Sequence, residues 1–188
     1  RLDRTVVTIS SFSGMVNEGM TRGHGWYFLE TGRRLERALR VIDLLRHALV
    51  PARDEEEGVL EAVLDIADSS MTYRARYQAA VDPKPVLDLL LLDEDNPRGV
   101  AYQLRRILEY GANLPLRVSS GLEATGDLGA RPLARLQLAS IDALAERDRD
   151  GTRRTLALVL QQLSGDLSEL SDLLTRYYLT HAIPLVAM

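Results

Sequence analysis

The sequence contains no cysteine. Disulfides, thiolate metal sites and a cysteine nucleophile are thereby excluded, and a reducing cytoplasm is the expected localisation. Aromatic residues are scarce, at 5%. Thirteen glycines and seven prolines in 188 residues are too few for a turn-rich sandwich or barrel. No apolar run approaches the ~20 residues that span a bilayer. Lysine is nearly missing, with Lys84 alone beside 22 arginines. A net charge of −4 argues against a general nucleic-acid or membrane-surface binder, so neither partner is expected.

What is present is leucine, 34 residues of it, within a composition that is 46% hydrophobic and 27% charged. That balance is globular and not that of a disordered chain. The length suits one domain, and residues 1–188 are read as a single helical domain. The arginine excess fits high genomic GC content. It also fits guanidinium groups that hold carboxylates or phosphates in bidentate fashion, which lysine does poorly. The chain starts at Arg1 and shows no signal-peptide pattern, so the expectation is part of a longer protein.

Apolar spacing at three- and four-residue steps predicts a run of helices. Residues 1–18 carry Leu2, Val6, Ile9, Phe12 and Met15 on one side. Residues 26–50 carry Phe28, Leu35, Leu39, Ile42, Leu45 and Leu49 as one stripe, with Pro51 as the stop. Arg33, Arg37 and Arg40 fall on the opposite face together with Glu36 and Leu44. That face is expected to be covered too.

Asp54 to Glu57 mark a helix start, where the dipole favours negative charge, and the helix is read onward toward Tyr77. Asp82-Pro83-Lys84-Pro85 interrupts it, and Val86 to Leu92 is apolar nearly all round. Asn96 and Pro97 read as an N-cap and first helical residue, with a helix to about Tyr110. Residues 111–131 read as an irregular loop, and Pro132 as the start of a helix reaching Leu144. Leu156, Leu160, Leu163, Leu167, Leu170, Leu174, Tyr177 and His181 form an a/d seam that Pro184 ends. No segment alternates as a strand. The fold class is therefore all-α, an antiparallel helical bundle of five to seven helices.

Chemistry is harder to find. His24, His47 and His181 lie in different elements without the spacing of a zinc helix, and no metal is expected. The Glu-x-x-His pairs of di-iron bundles are missing, and no cofactor is implied. Thr21-Arg22-Gly23-His24-Gly25 is a glycine turn before a helix without the ending of a phosphate loop. Nothing places a base beside a serine.

The cluster Arg33-Arg34-Leu35-Glu36-Arg37 has three open readings. It is an inter-helix salt-bridge lattice, a site for a carboxylate or phosphate, or a solvated face. In the second reading Glu36 is the acid–base candidate, and Arg33, Arg37 and Arg98 are the charge clamp.

Four segments taken together carry a resemblance. They are Met20-Thr21-Arg22-Gly23-His24-Gly25-Trp26, Phe28-Leu29-Glu30-Thr31-Gly32-Arg33-Arg34-Leu35-Glu36-Arg37-Ala38, Asp68-Ser69-Ser70-Met71-Thr72-Tyr73-Arg74, and Leu90-Leu91-Leu92-Asp93 through Asn96-Pro97-Arg98 to Tyr102-Gln103-Leu104. In this order they resemble the bacterial alpha-E family, a helical domain without an established biochemical function. The resemblance runs from about residue 2 to residue 182 and corresponds to roughly the C-terminal two-thirds of that domain.

The motif positions it carries over are Arg22, Trp26, Arg33, Glu36, Arg37, Tyr73, Arg74, Asn96 and Arg98. It implies partners: circularly permuted ATP-grasp ligase-like proteins and transglutaminase-like peptidases, and so a place in peptide synthesis or processing. The expected function is a non-catalytic helical partner or substrate-presenting domain. The rivals are an anion- or peptide-carboxylate-binding domain acting through its Arg/Glu cluster, and a bundle that self-associates as a homo-oligomer through the last seam.

Overall fold

The computed structural model describes residues 2–115 and 122–179, with the backbone alone for 122–128 and 179. Among these residues there are nine α-helices and two π-helical turns, and no strand. Helix α1 is Leu2–Gly19, α2 His24–Leu49, α3 Glu57–Ile66, α4 Ser70–Tyr77 and α5 Pro83–Leu87. A π-helical turn, Asp88–Leu92, leads to α6, Val100–Gly111. Helix α7 is Leu122–Gln137, α8 Ile141–Ala145 and α9 Arg154–Leu174, followed by the π-helical turn Thr175–Leu179. The all-α expectation holds. The helices outnumber the five to seven expected because two segments read as continuous helices are each broken in two, giving α3 with α4 and α7 with α8.

Four helices make the bundle. Helix α2 packs on α6 and α9, and α7 closes the ring against the same two. The stripe of α2 buries Leu35, Ala38, Ile42, Leu45 and Leu49, each at the helical period. The seam of α9 buries Leu156, Leu160, Leu163, Leu167 and Leu170 within this one chain. Burying each leucine contributes about 1.5–3 kcal/mol relative to exposure. A seam already covered inside the chain offers a second copy nothing, which removes the reason for expecting self-association. Its continuation at His181 and the stop at Pro184 lie outside the described residues.

Helix α1 forms as its spacing predicts, but it buries none of its residues. Leu2, Val6, Ile9, Phe12 and Met15 are all exposed. No helix among the described residues is long and apolar enough to cross a membrane.

Several expectations need correction. Residues 122–131 are not loop: α7 runs through them and Pro132 lies inside the helix. Local propensity, with Gly126 and Gly129, argues against helix there, yet the helix forms and α7 as a whole packs on α6. A Cβ on Gly129 would come within 2.9 Å of Leu108, so the absent side chain permits the close approach. The helix also stops at Gln137, and α8 is separate.

The helix read through to Tyr77 breaks after Ile66, where Asp68 adopts a left-handed φ of 50°. Asp82 and Pro83 start a helix as well as interrupting one: the Asp82 side chain accepts from the backbone N–H of Lys84.

Asn96 is not the cap of α6; Gly99 is. The buried Asn96 side chain donates to the carbonyl of Leu89 at 2.9 Å and accepts from the Arg98 N–H at 3.1 Å. It thus satisfies a carbonyl of the wide π turn, where the leucines Leu89, Leu90 and Leu91 are fully buried as expected.

Candidate functional site

The polar face of α2 looks into a groove whose other wall is α1, with a volume of about 850 Å³. Ser13 and Asn17 line it from α1. Arg33, Arg34, Glu36, Arg37 and Arg40 line it from α2, with Phe28 and Glu30 at its base. Helical period alone puts these side chains on one flank.

Glu30 organises the first half of the row. It is buried, and its two carboxylate oxygens accept separately: Oε1 from Arg33 at 2.9 Å and Oε2 from Arg34 at 2.8 Å. Burial pushes its pKa up, but the two arginine hydrogen bonds outweigh this and hold it below the ordinary carboxylate value. Arg34 also donates to Gln103 at 3.3 Å, and Gln103 donates to the carbonyl of Pro97 at 2.6 Å, tying the row to α6.

The second half of the row has no such anchor. Among the described residues no carboxylate pairs with Arg37 or Arg40. Glu36 is exposed and makes no hydrogen bond there. Partial burial lowers the pKa of Arg37 from its usual value, and the charges of Arg34, Arg98 and Arg33 add to this while Glu30 opposes it. A guanidinium stays protonated in proteins, so Arg37 keeps its positive charge despite the shift. The salt-bridge lattice between helices is therefore not what this face builds: Arg33 pairs within α2, and Arg37 has no carboxylate among the described residues.

Arg37 and Arg40 also border a second, smaller cleft of about 290 Å³, floored by Val41, Leu44, Ile66 and Ala67. Arg98 and Asp68 close its far edge as an ion pair between the loop ahead of α6 and the end of α3. Arg33, Glu36, Arg37 and Arg98 are thus brought to one connected surface.

The other sequence candidates lie elsewhere. Arg22 stacks on Trp26 at 4.5 Å and donates to the carbonyl of Asn17 at 2.6 Å. Tyr73 is buried and its hydroxyl donates to the carbonyl of Ala80 at 3.1 Å. Arg74 is exposed beside a separate cleft with Glu57 and Glu61, and Asn96 is the buried brace described above.

Sequence reasoning named neither Glu30 nor Arg40 as a site residue, and gave Arg34 no role of its own within the cluster. The spacing of Glu30 to Arg33 and Arg34, three and four residues, was the available signal. Among the described residues no three histidine or carboxylate side chains converge as metal ligands. No described histidine lines the groove, so no serine–histidine pair is assembled there among these residues.

The fold and this surface define a helical domain with an arginine-lined groove. The chain belongs to the Alpha-E family, described as "a predicted alpha-helical domain with a conserved ER motif", which it matches over residues 1–179. Two Glu-Arg dipeptides occur in this sequence: Glu36-Arg37 in the groove, and Glu146-Arg147. Uncharacterised proteins of Mycobacterium tuberculosis and Mycobacterium bovis are each 32% identical over 173 residues, which is 91% of this chain. The chain spans about a fifth (19%) of the length of these relatives. No solved structure matches it.

Proposed function

We propose that this domain is a non-catalytic, substrate-presenting module whose α1–α2 groove holds an acidic peptide or peptide-like conjugate. The observation that carries this is the pair Arg37 and Arg40, exposed on a groove of about 850 Å³ and without a carboxylate partner among the described residues. Charge-assisted bidentate contacts to carboxylates are the strongest use of such a row. Glu36 is exposed, and no nucleophile–base pair lines the groove among the described residues, so presentation suits it better than chemistry.

The proposed workplace is the cytoplasm, beside an ATP-grasp ligase-like protein and a transglutaminase-like peptidase. The family resemblance supports that company. The small share of each mycobacterial relative that the chain spans supports a domain working next to others.

The test is calorimetric titration of a C-terminally amidated glutamate hexapeptide into the wild type and into Arg37→Ala/Arg40→Ala. Saturable binding that weakens about tenfold or more in the variant, and falls with added salt, is expected. Absence of binding, or equal binding by both proteins, overturns the proposal. Co-purification with the cognate ligase, and ligase turnover with and without this domain, test the partnership.

A further inference from the structure

The small cleft beside the groove is chemically unlike it. Its floor is apolar: Val41 and Ala67 are buried, Leu44 is half-buried and Ile66 is 70% exposed. Leu44 is an apolar residue on the arginine face of α2 whose other side packs on the core, and no core contact explains the exposed Ile66 at the end of α3. The rim is cationic, formed by the same Arg37 and Arg40 that border the large groove. Among the described residues Asp68 is the only carboxylate on this cleft, and Arg98 already holds it.

An apolar hollow against two guanidinium groups without carboxylate partners matches a ligand with one terminal carboxylate and one apolar side chain next to it. A volume of about 290 Å³ admits a leucine- or valine-sized group but not a folded element. The large groove shares Arg37 and Arg40 with this cleft and is lined along α2 back to Phe28, which leaves room for the rest of an extended chain.

We infer that this cleft receives the C-terminal residue of a peptide, its α-carboxylate between Arg37 and Arg40 and its apolar side chain on Val41, Leu44 and Ile66. The inference rests on the peptide-binding reading above and adds polarity and terminal-residue specificity. The carboxylate accepts the bidentate donors that no other described carboxylate satisfies. The side chain covers Ile66 and Leu44 from water. The remaining residues of the peptide lie in the large groove, where acidic side chains meet Arg33 and the exposed edge of the row.

The experiment compares four probes by calorimetry at fixed salt: acetyl-Glu-Glu-Leu with a free C-terminus, the same peptide amidated, acetyl-Glu-Glu-Gly with a free C-terminus, and N-acetyl-leucine. The free leucine peptide is expected to bind about tenfold tighter than either its amide or its glycine counterpart. In Leu44→Ser/Ile66→Ser, leucine and glycine peptides are expected to bind alike, while the amidated glutamate hexapeptide binds as it does to the wild type. Ile66 is 70% exposed, whereas Leu44 also packs against the core, so circular dichroism and a urea midpoint check that the double variant folds, and Ile66→Ser alone is measured beside it with the same expectation.

Equal affinity for the free and amidated leucine peptides overturns the inference and leaves the groove reading intact. Binding by none of the peptides overturns both. N-acetyl-leucine binding as tightly as the tripeptide assigns the cleft to a small free acid and overturns the peptide terminus.

Discussion

Arg153 and Glu56 meet in a bidentate pair, Nη1 donating to Oε1 at 2.9 Å and Nη2 to Oε2 at 2.6 Å, with both side chains buried. The same guanidinium donates to the carbonyl of Leu49 at 2.7 Å and, through Nε, to that of Ala145 at 3.2 Å. Arg147 adds a contact to Glu56 at 2.7 Å. One side chain thus joins the end of α2, the start of α3, the end of α8 and the start of α9. It also satisfies a helix-terminal carbonyl that would otherwise be orphaned.

Removing one member of a buried pair strands the other, so Arg153→Met is expected to destabilise by about 3–5 kcal/mol. Urea denaturation reads this directly, and melting falls by roughly 2–4 °C per kcal/mol in a chain of this size. Glu56→Leu alone is expected to cost a comparable amount, because it leaves Arg153 uncompensated. The double variant Arg153→Met/Glu56→Leu is expected to be clearly less damaged than the two single effects added together. Strict additivity would show that the two side chains act independently, against the geometry.

Acid sensitivity follows from two carboxylates. Glu30 and Glu56 are both buried, and each pKa is held below the ordinary 4.5; burial acts to raise them, but hydrogen bonds from Arg33 and Arg34, and from Arg153, outweigh it. A lowered folded-state pKa means the unfolded chain binds these protons first. The stabilisation is fully present above about 4.5 and is lost as pH falls through the lowered folded values. Urea midpoints measured from pH 7 to pH 3 are expected to drop steeply below 4.5 in the wild type. Glu30→Gln and Glu56→Gln start lower at pH 7 and show a flatter acid limb. Parallel curves for wild type and variants would place the acid sensitivity in other groups.

Helices α2 and α9 were legible because their leucines recur without interruption at the period that burial demands. The arginine flank of α2 was legible for the same reason, since 100° per residue places Arg33, Arg37 and Arg40 together. What escaped has no local signal. Arg153 sits just past a charged run and looks solvated; its partner Glu56 is 97 residues away in sequence. The left-handed turns at Asp68 and Gln78 use residues other than glycine, so nothing in the sequence punctuates them. Helix α7 runs through Gly126 and Gly129, which do not favour helix, and at Gly129 it meets Leu108 of α6, a contact with no local signal in the sequence. In the groove, the division between anchored and free arginines depends on which of them Glu30 reaches. Spacing could suggest this, but burial of Glu30 decides it.

Two glycines make opposite predictions from the same chemical change. Gly99 caps α6 with φ −78° and ψ 156°, a conformation open to any residue, so its backbone angles do not require glycine. Space does: a Cβ there would lie 3.0 Å from the carbonyl oxygen of Leu89, 3.3 Å from that of Asp93 and 3.4 Å from that of Asn96. All three are backbone atoms, in the π turn and in the loop that follows it, and none can rotate away. Gly99→Ala is therefore expected to destabilise by about 1–3 kcal/mol, the range for inserting a carbon where packing is complete. Gly165 lies inside α9 with nothing within 4 Å of a would-be Cβ. Gly165→Ala is expected to stabilise by about 0.5–1 kcal/mol, because the helix no longer orders a residue with glycine's freedom. Urea midpoints at unchanged slope measure both. A Gly99→Ala variant as stable as the wild type would mean that the loop before α6 shifts off the π turn without cost, and that the carbonyl contacts around Leu89 do not hold it there.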